Sequence, residues 1–112
     1  MEQRNSFFNI PIDLVSPNKN IVPVTTSVNN LGALTVGGCS IDDLIQNYGS
    51  PLYILDELSL RNSCKAYKKS LEKYYPGESL PIYASKANSS LFMSWLIQSE
   101  GFGLDAVSKG EL

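Results

Sequence analysis

The stretch LPIYASKANSSLFMSWLIQSEGFGLDAVS, which runs from Leu80 to Ser108, decides the fold of this chain. Its residues IY favour a strand, and the polar NSS that follows can cap a helix. FGLDAVS predicts a second strand, and the helix between the strands has one apolar face, formed by Leu91, Phe92, Trp95 and Leu96. Because the connections are short, the unit favours parallel strands joined by a right-handed crossover. Two parallel strands and one helix bury each other poorly, so the sequence predicts the beginning of a larger α/β domain.

Two more helices are predicted upstream of this stretch. In SIDDLIQNYGSP, Ser40 can cap a helix with Asp43 as the acidic partner of a capping box, and Gly49 can end it. Asp56 can cap a longer helix that ends before Pro76. The apolar stripe of this longer helix contains Leu60, Cys64, Tyr67, Leu71 and Tyr74. Its lysines lie mostly off the stripe and predict a solvated face.

Short strands and irregular segments are predicted in the rest of the chain. Leu31–Val36 predicts one strand, which Gly37 and Gly38 stop, and the apolar run Leu52–Leu55 predicts a buried strand. Residues 1–30 are polar, contain several prolines and asparagines, and show no period. They predict an irregular N-terminal arm.

Composition excludes several classes of function. Of the 112 residues, 43% are hydrophobic and 18% are charged, which is typical of a soluble globular protein. The net charge of −2 argues against a nucleic-acid partner. No apolar run is long enough to cross a membrane and no export signal is visible, so we expect a cytoplasmic protein with Cys39 and Cys64 as free thiols. The chain has no histidine, which removes Ser-His-Asp catalysis and most zinc sites within it.

Lys86 is the candidate catalytic residue, because it follows an apolar strand and is flanked by small residues. Side chains alternate along a strand, so Ala84 and Lys86 would share one face, and Asp105 on the next strand could face the same interior. A lysine paired with a carboxylate at the carboxyl end of parallel strands is suited to forming an imine with an aldehyde. The alternatives are that Lys86 is an ordinary surface residue near a turn, and that Asp105 lies in water on an edge strand.

Three motifs resemble a known family. YASKAN, Tyr83–Asn88, is similar to the cofactor-lysine motif of the fold-type III pyridoxal-phosphate enzymes, which include alanine racemase and the diaminopimelate, ornithine and arginine decarboxylases. GLDAVSKGEL, Gly103–Leu112, resembles the segment that follows in the decarboxylases. YGSPLYILDELSLRNSCKAYKKSL resembles the lead-in of the diaminopimelate decarboxylases. Lys109 departs from that branch, which commonly has glycine there, and matches the ornithine-type relatives.

The resemblance implies a role for each matching residue. Lys86 would form the imine with pyridoxal 5'-phosphate, and Ala84 would line the cofactor. Asp105 would lie near the lysine and the cofactor and help to hold the charge of the amine. Glu111 matches the turn glutamate of the family and would support the site from its edge.

The resemblance also implies an architecture and an activity. It predicts an α/β fold that begins a (β/α)8 barrel, with residues 31–56 as lead-in strands and a short helix associated with a second, β-rich domain. Residues 57–112 would be the first helix and first βαβ unit of the barrel. The expected reaction is decarboxylation of meso-2,6-diaminopimelate to L-lysine by a longer homodimeric enzyme, in which this part is inactive alone. Alternatives are an ornithine or arginine decarboxylase and a non-catalytic pyridoxal-phosphate-binding relative.

Overall fold

The computed structural model describes residues 10–11 and 20–111. The chain divides into two units, the first ending at Ser59 and the second beginning at Leu60. Each unit contains one sheet. No helix in the described part of the chain is both long and apolar enough to cross a membrane.

The first unit contains a four-stranded antiparallel sheet with its strands in chain order. The strands are β1 (Ile10–Pro11), β2 (Ser27–Val28), β3 (Leu34–Val36) and β4 (Cys39–Ser40). Strand β3 lies within the predicted strand and is shorter than it. Strands β1 and β2 lie in the segment that was expected to be irregular. Strands of two residues are too short to show an alternating hydrophobic pattern, and backbone pairing alone defines them.

Two glycines make the turn between β3 and β4. Gly37 and Gly38 have φ angles of 58° and 81°, in the left-handed region that a two-residue hairpin turn requires at both positions. The β2–β3 connection is organised differently, because the side chain of Asn29 accepts hydrogen bonds from the backbone N–H groups of Leu31 and Ala33 at 3.0 and 2.9 Å. Local turn chemistry therefore sets both hairpins.

Helix α1 (Ile41–Tyr48) begins and ends where the sequence predicted. Gly49 has a φ angle of 85°, and its N–H donates to the Ile45 carbonyl at 2.8 Å. Ser40 is the N-cap, as predicted, but the capping box with Asp43 is wrong, since the Ser40 side chain makes no capping hydrogen bond. Ser40 is also the last residue of β4, where it pairs with Thr35, so the strand as well as the helix constrains it.

The prediction of a buried strand at Leu52–Leu55 is wrong. These residues form no strand, and their side chains are exposed, with Tyr53 at 99%. A continuous apolar run becomes a buried strand only when neighbouring strands pair with it and other elements cover it. Within the described residues no strand pairs with this segment.

A hydrogen-bonded cluster around Asp56 holds the start of the long helix α2 (Glu57–Tyr74) within the first unit. The Asp56 carboxylate accepts from the Thr25 hydroxyl at 2.7 Å and from the backbone N–H of Ser59 at 3.0 Å, and the Ser59 hydroxyl also donates to it. Thr25 Oγ1 in turn accepts from the N–H of Gly37 at 2.9 Å. Asp56 therefore caps α2, as predicted, and also ties the helix start to the β3–β4 turn.

We expect this cluster to make the stability of the first unit depend on pH. Partial burial by itself raises the pKa of Asp56, but the hydrogen bonds from Ser59 and Thr25 outweigh it and lower the pKa below its usual value. The stabilisation is therefore complete above an unfolded-state pKa of about 4 and is lost as pH falls through the lower folded-state pKa. Asp56→Ala should remove this pH dependence and cost about 1 kcal/mol at neutral pH. Acid and urea unfolding of the complete protein would measure both effects, with Asp42→Ala as the control. Equal acid sensitivity of the Asp56 variant and the native protein would contradict the expectation.

The second unit contains the predicted strand–helix–strand arrangement. Strand β5 (Ile82–Ala84), helix α3 (Leu91–Ser99) and strand β6 (Gly103–Asp105) follow one another, and the two strands pair in parallel. Ser90 is the N-cap of α3, and its side chain accepts from the backbone N–H of Met93 at 3.4 Å. The strand–helix–strand prediction is confirmed, with strands shorter than the sequence pattern suggested.

The core of the second unit lies between α2, α3 and one face of the sheet. Its fully buried apolar residues are Cys64, Met93, Leu96 and Ile97, and Leu60, Tyr83 and Phe102 pack against them. The α2 stripe is only partly buried, since Tyr67 and Tyr74 are exposed. Both cysteines are free thiols, Cys64 buried and Cys39 exposed, as expected.

Polar contacts fasten the end of α3 to α2. Arg61 forms an ion pair with Glu100 and donates to Ser99 Oγ at 2.9 Å, and Lys68 donates to the Glu100 carbonyl at 3.0 Å. Lys68 is half-buried, so it does not belong to the solvated lysine face that the sequence predicted. The positive charges lie where the dipole of α3 favours them.

Candidate functional site

Lys86 lies in a single 3-10 turn, Ser85–Ala87, directly after the carboxyl end of β5. Its side chain is exposed, and within the described residues no hydrogen bond or ion pair involves it. The alternation that placed Ala84 and Lys86 on one strand face fails, because the strand ends at Ala84 and the backbone then turns. The amine is therefore an accessible group beyond the strand end, and the predicted pairing with Asp105 is not formed.

Ala84 and Asp105 are direct partners across the parallel strands, with Ile82 opposite Gly103 and Tyr83 opposite Leu104. Residues that pair in this way lie on the same face of the sheet, so Ala84 and Asp105 share a face, which the sequence pattern alone leaves open. It is the face opposite to Tyr83, which packs on the core. Both residues are exposed. The structure thus brings a small residue and a carboxylate together at the strand ends that precede Lys86.

Glu111 organises the turn after β6. Its carboxylate accepts from the backbone N–H groups of Val107 and Ser108, the latter at 3.0 Å, and its own N–H donates to the Ser108 carbonyl at 3.1 Å. Glu111 thus satisfies the backbone donors of Val107 and Ser108, which precede the 3-10 turn Lys109–Glu111, as the acidic residue of a capping box does at a helix start. The Glu111 carboxylate is therefore engaged in hydrogen bonds to the backbone, and it stabilises the conformation of the turn after β6.

Contacts that hold the Lys86 turn were not anticipated from the sequence. The Tyr83 hydroxyl donates to the Asn88 carbonyl at 3.2 Å, and Asn88 Oδ1 accepts from the Ser90 N–H at 3.0 Å. Ser85 is 1% exposed, and its hydroxyl has no hydrogen-bond partner within the described residues. The sequence offers one indication of these contacts, which is the tyrosine at position 83. The hydroxyl group of a tyrosine that packs on a core usually finds a hydrogen-bond partner.

The residues at the strand ends fit an aldehyde cofactor with a flat ring. Lys86 supplies an uncommitted amine, which is the group that bonds to an aldehyde. Ala84 and Gly103 are small residues on the adjacent strand face, which also carries Ile82, and Asp105 adds a carboxylate at its end.

Comparison with known proteins identifies the family. Residues 57–112 match the pyridoxal-binding domain of the pyridoxal-dependent decarboxylases. The chain is 50% identical over 97 residues to a diaminopimelate decarboxylase of Synechocystis sp., a match that covers 87% of this chain and 21% of that protein. Diaminopimelate decarboxylases of Methanothermobacter thermautotrophicus and Bacillus subtilis are 36% identical over 85 residues and 39% identical over 89 residues. These two matches cover 76% and 79% of the chain, and 20% of each relative.

The chain therefore spans about a fifth of the length of the curated relatives it matches. The family match covers α2, β5, α3 and β6, and it therefore includes both Asp105 and the turn that carries Lys86. The mixed α/β fold agrees with the start of such a domain, and the matched domain binds pyridoxal phosphate. On this evidence the chain belongs to the pyridoxal-dependent decarboxylases.

Proposed function

We propose that the complete protein containing this chain decarboxylates meso-2,6-diaminopimelate to L-lysine with pyridoxal 5'-phosphate. The observation that carries the proposal is the uncommitted, exposed amine of Lys86 at the carboxyl end of β5, beside the paired Ala84 and Asp105. The names of the diaminopimelate decarboxylases that the chain resembles suggest the substrate.

Each site residue has a part that follows from its place. Lys86 holds the cofactor through its aldehyde group, and its amine carries a proton to or from the reacting carbon. Asp105 places a carboxylate at the same end of the sheet, opposite Ala84 on the neighbouring strand. Ala84 leaves room for the ring, and Glu111 fixes the turn after β6. When bound, pyridoxal phosphate supplies an electron sink for the electron pair that remains after carbon dioxide leaves.

We infer that the second unit begins a (β/α)8 barrel. Beside β5 lies an apolar cavity of about 620 Å³, bordered by Leu60, Tyr67, Leu80 and Ile82 among others. A further strand and helix of the complete protein would fill such a cavity, and a barrel of this kind takes about 250 residues. The phosphate-binding loop and the substrate contacts then come from later strands and, in a homodimer, from the other subunit. The 112 residues alone would have no decarboxylase activity.

An ornithine or arginine decarboxylase is the second candidate. The observation in its favour is Lys109, which stands where the diaminopimelate branch commonly has glycine. Turnover of the complete protein with diaminopimelate, ornithine and arginine at equal concentration separates the candidates. Turnover confined to ornithine or arginine would exclude the first proposal.

Chemical trapping tests the cofactor assignment directly. The complete protein is incubated with pyridoxal phosphate, reduced with borohydride and digested, and the pyridoxyl group is located by mass spectrometry. We expect it on the peptide that contains Lys86, and not on the exposed Lys65 or Lys69 of α2. A folded protein that carries the label elsewhere, or none, would exclude Lys86 as the cofactor lysine.

A further inference from the structure

We propose that Tyr83 is a positioning residue for Lys86, acting through the hydrogen bond from its hydroxyl group to the Asn88 carbonyl. The proposal rests on the function assigned to Lys86 above. Tyr83 itself faces the core and so lies on the side of the sheet away from Ala84 and Asp105. Its effect would pass through the backbone of the turn that carries the lysine.

The hydrogen bond closes a loop around the turn. Tyr83 is the middle residue of β5, and Asn88 is the residue that follows the 3-10 turn Ser85–Ala87. The 3.2 Å bond between the Tyr83 hydroxyl and the Asn88 carbonyl therefore joins the strand to the chain beyond the lysine. The aromatic ring packs against the buried core, so the hydroxyl is carried on a side chain with little freedom of its own.

The far end of the turn is fastened a second time. Asn88 Oδ1 accepts from the N–H of Ser90, and Ser90 Oγ accepts from the N–H of Met93 in the first turn of α3. Asn88 is thus linked to the strand through its carbonyl and to the helix through its side chain. The turn is held between two regular elements that share one core.

Neighbouring residues of the turn differ in how strongly the surrounding structure restrains their side chains. Ser85 is buried at 1% exposure, whereas the Lys86 side chain is exposed and makes no contact of its own within the described residues. The backbone is fixed and the side chain is free. A lysine that binds a cofactor reversibly needs this combination, because its rate of recapture depends on the effective concentration of the amine, which a fixed backbone raises.

Tyr83→Phe tests the proposal, because it removes the hydroxyl and keeps the ring. The complete protein, this variant and the control Tyr53→Phe are titrated with pyridoxal phosphate by absorbance, and borohydride labelling of the Lys86 peptide and the thermal midpoint of the cofactor-free protein are measured in parallel. Tyr53 has a ring that is 99% exposed, and no described contact involves its hydroxyl. We expect Tyr83→Phe to bind the cofactor about fivefold more weakly, the effect of one hydrogen bond, and to label more slowly. The control should match the native protein.

Asn88→Ala tests the second fastening of the turn, because it removes the acceptor of the Ser90 N–H and leaves the bond from Tyr83 to the backbone carbonyl of Asn88 in place. It should also weaken cofactor binding several-fold at an unchanged thermal midpoint. Native affinity in Tyr83→Phe would overturn the positioning role of Tyr83 whatever Asn88→Ala shows, as would a lowered midpoint with native affinity and labelling. Native protein without label on Lys86 would overturn both the cofactor assignment and the role of Tyr83. Label on Lys86 with native affinity in the variants would overturn only the role of Tyr83.

Discussion

Replacing Lys86 by alanine should lower the turnover of the complete protein by at least about a thousandfold, the scale of losing a positioned proton carrier. The residue carries an exposed amine in the turn that follows β5, and it is proposed both to hold the cofactor and to move the proton. Its substitution should leave folding intact, because the side chain makes no hydrogen bond or ion pair within the described residues. Initial rates of carbon dioxide release, measured with saturating cofactor, would provide the comparison.

Two further variants make this result specific to the lysine. Lys65→Ala removes an equally exposed cation from α2 and should retain full activity. Lys86→Arg keeps the positive charge but not a neutral amine, and it should be as inactive as Lys86→Ala, since the guanidinium stays protonated. If Lys86→Arg retained substantial activity, charge would be the contribution of Lys86, and its bonding to the cofactor would be excluded.

Leu96→Ala should destabilise the second unit by about 3 kcal/mol, as expected for deleting a large aliphatic side chain from a core. Leu96 is fully buried, at 0% exposure, among Cys64, Met93 and Ile97. The cavity left behind would lie between α2 and α3, and both helices would lose packing. Hydrogen exchange of the α3 backbone in increasing urea would measure the local free energy of unfolding in the complete protein.

Leu91→Ala is the matched control for this loss. Leu91 begins the same helix but is 89% exposed, so the same deletion should change the free energy of unfolding by less than about 0.5 kcal/mol. A similar loss for both leucines would mean that the complete protein covers Leu91. Native stability of Leu96→Ala would contradict the core described for the second unit.

Helices and the crossover were predictable because their signals are local. Gly49 ends α1 and Asp56 caps α2 at the expected positions, since caps depend on residue chemistry within one turn. The segment Leu52–Leu55 was mispredicted because a run of apolar residues signals burial without saying which partner provides it. β1 and β2 could not be predicted, because strands of two residues are too short to show an alternating hydrophobic pattern.

The site was predictable in its residues and less so in its geometry. Alternation left open whether Asp105 shares the face of Ala84, which the register of the parallel strands decides, and it carried the strand too far and so misplaced the Lys86 side chain. A single 3-10 turn produces no periodic pattern of hydrophobic residues, so the sequence does not show where β5 ends. The hydrogen bond from Tyr83 to Asn88 uses the backbone carbonyl of Asn88, which every residue has. The residue type at position 88 therefore does not predict this contact.

The chain order of the first sheet has a consequence for how the protein forms during synthesis. β2 pairs with β3 and β3 with β4 through short turns, so these contacts close only small loops. β5 must instead wait until α3 and β6 have left the ribosome before its backbone finds a parallel partner. The hairpins should therefore form first, and β5, the strand that precedes the Lys86 turn, should remain unpaired for longer, as is general for contacts between distant parts of a sequence.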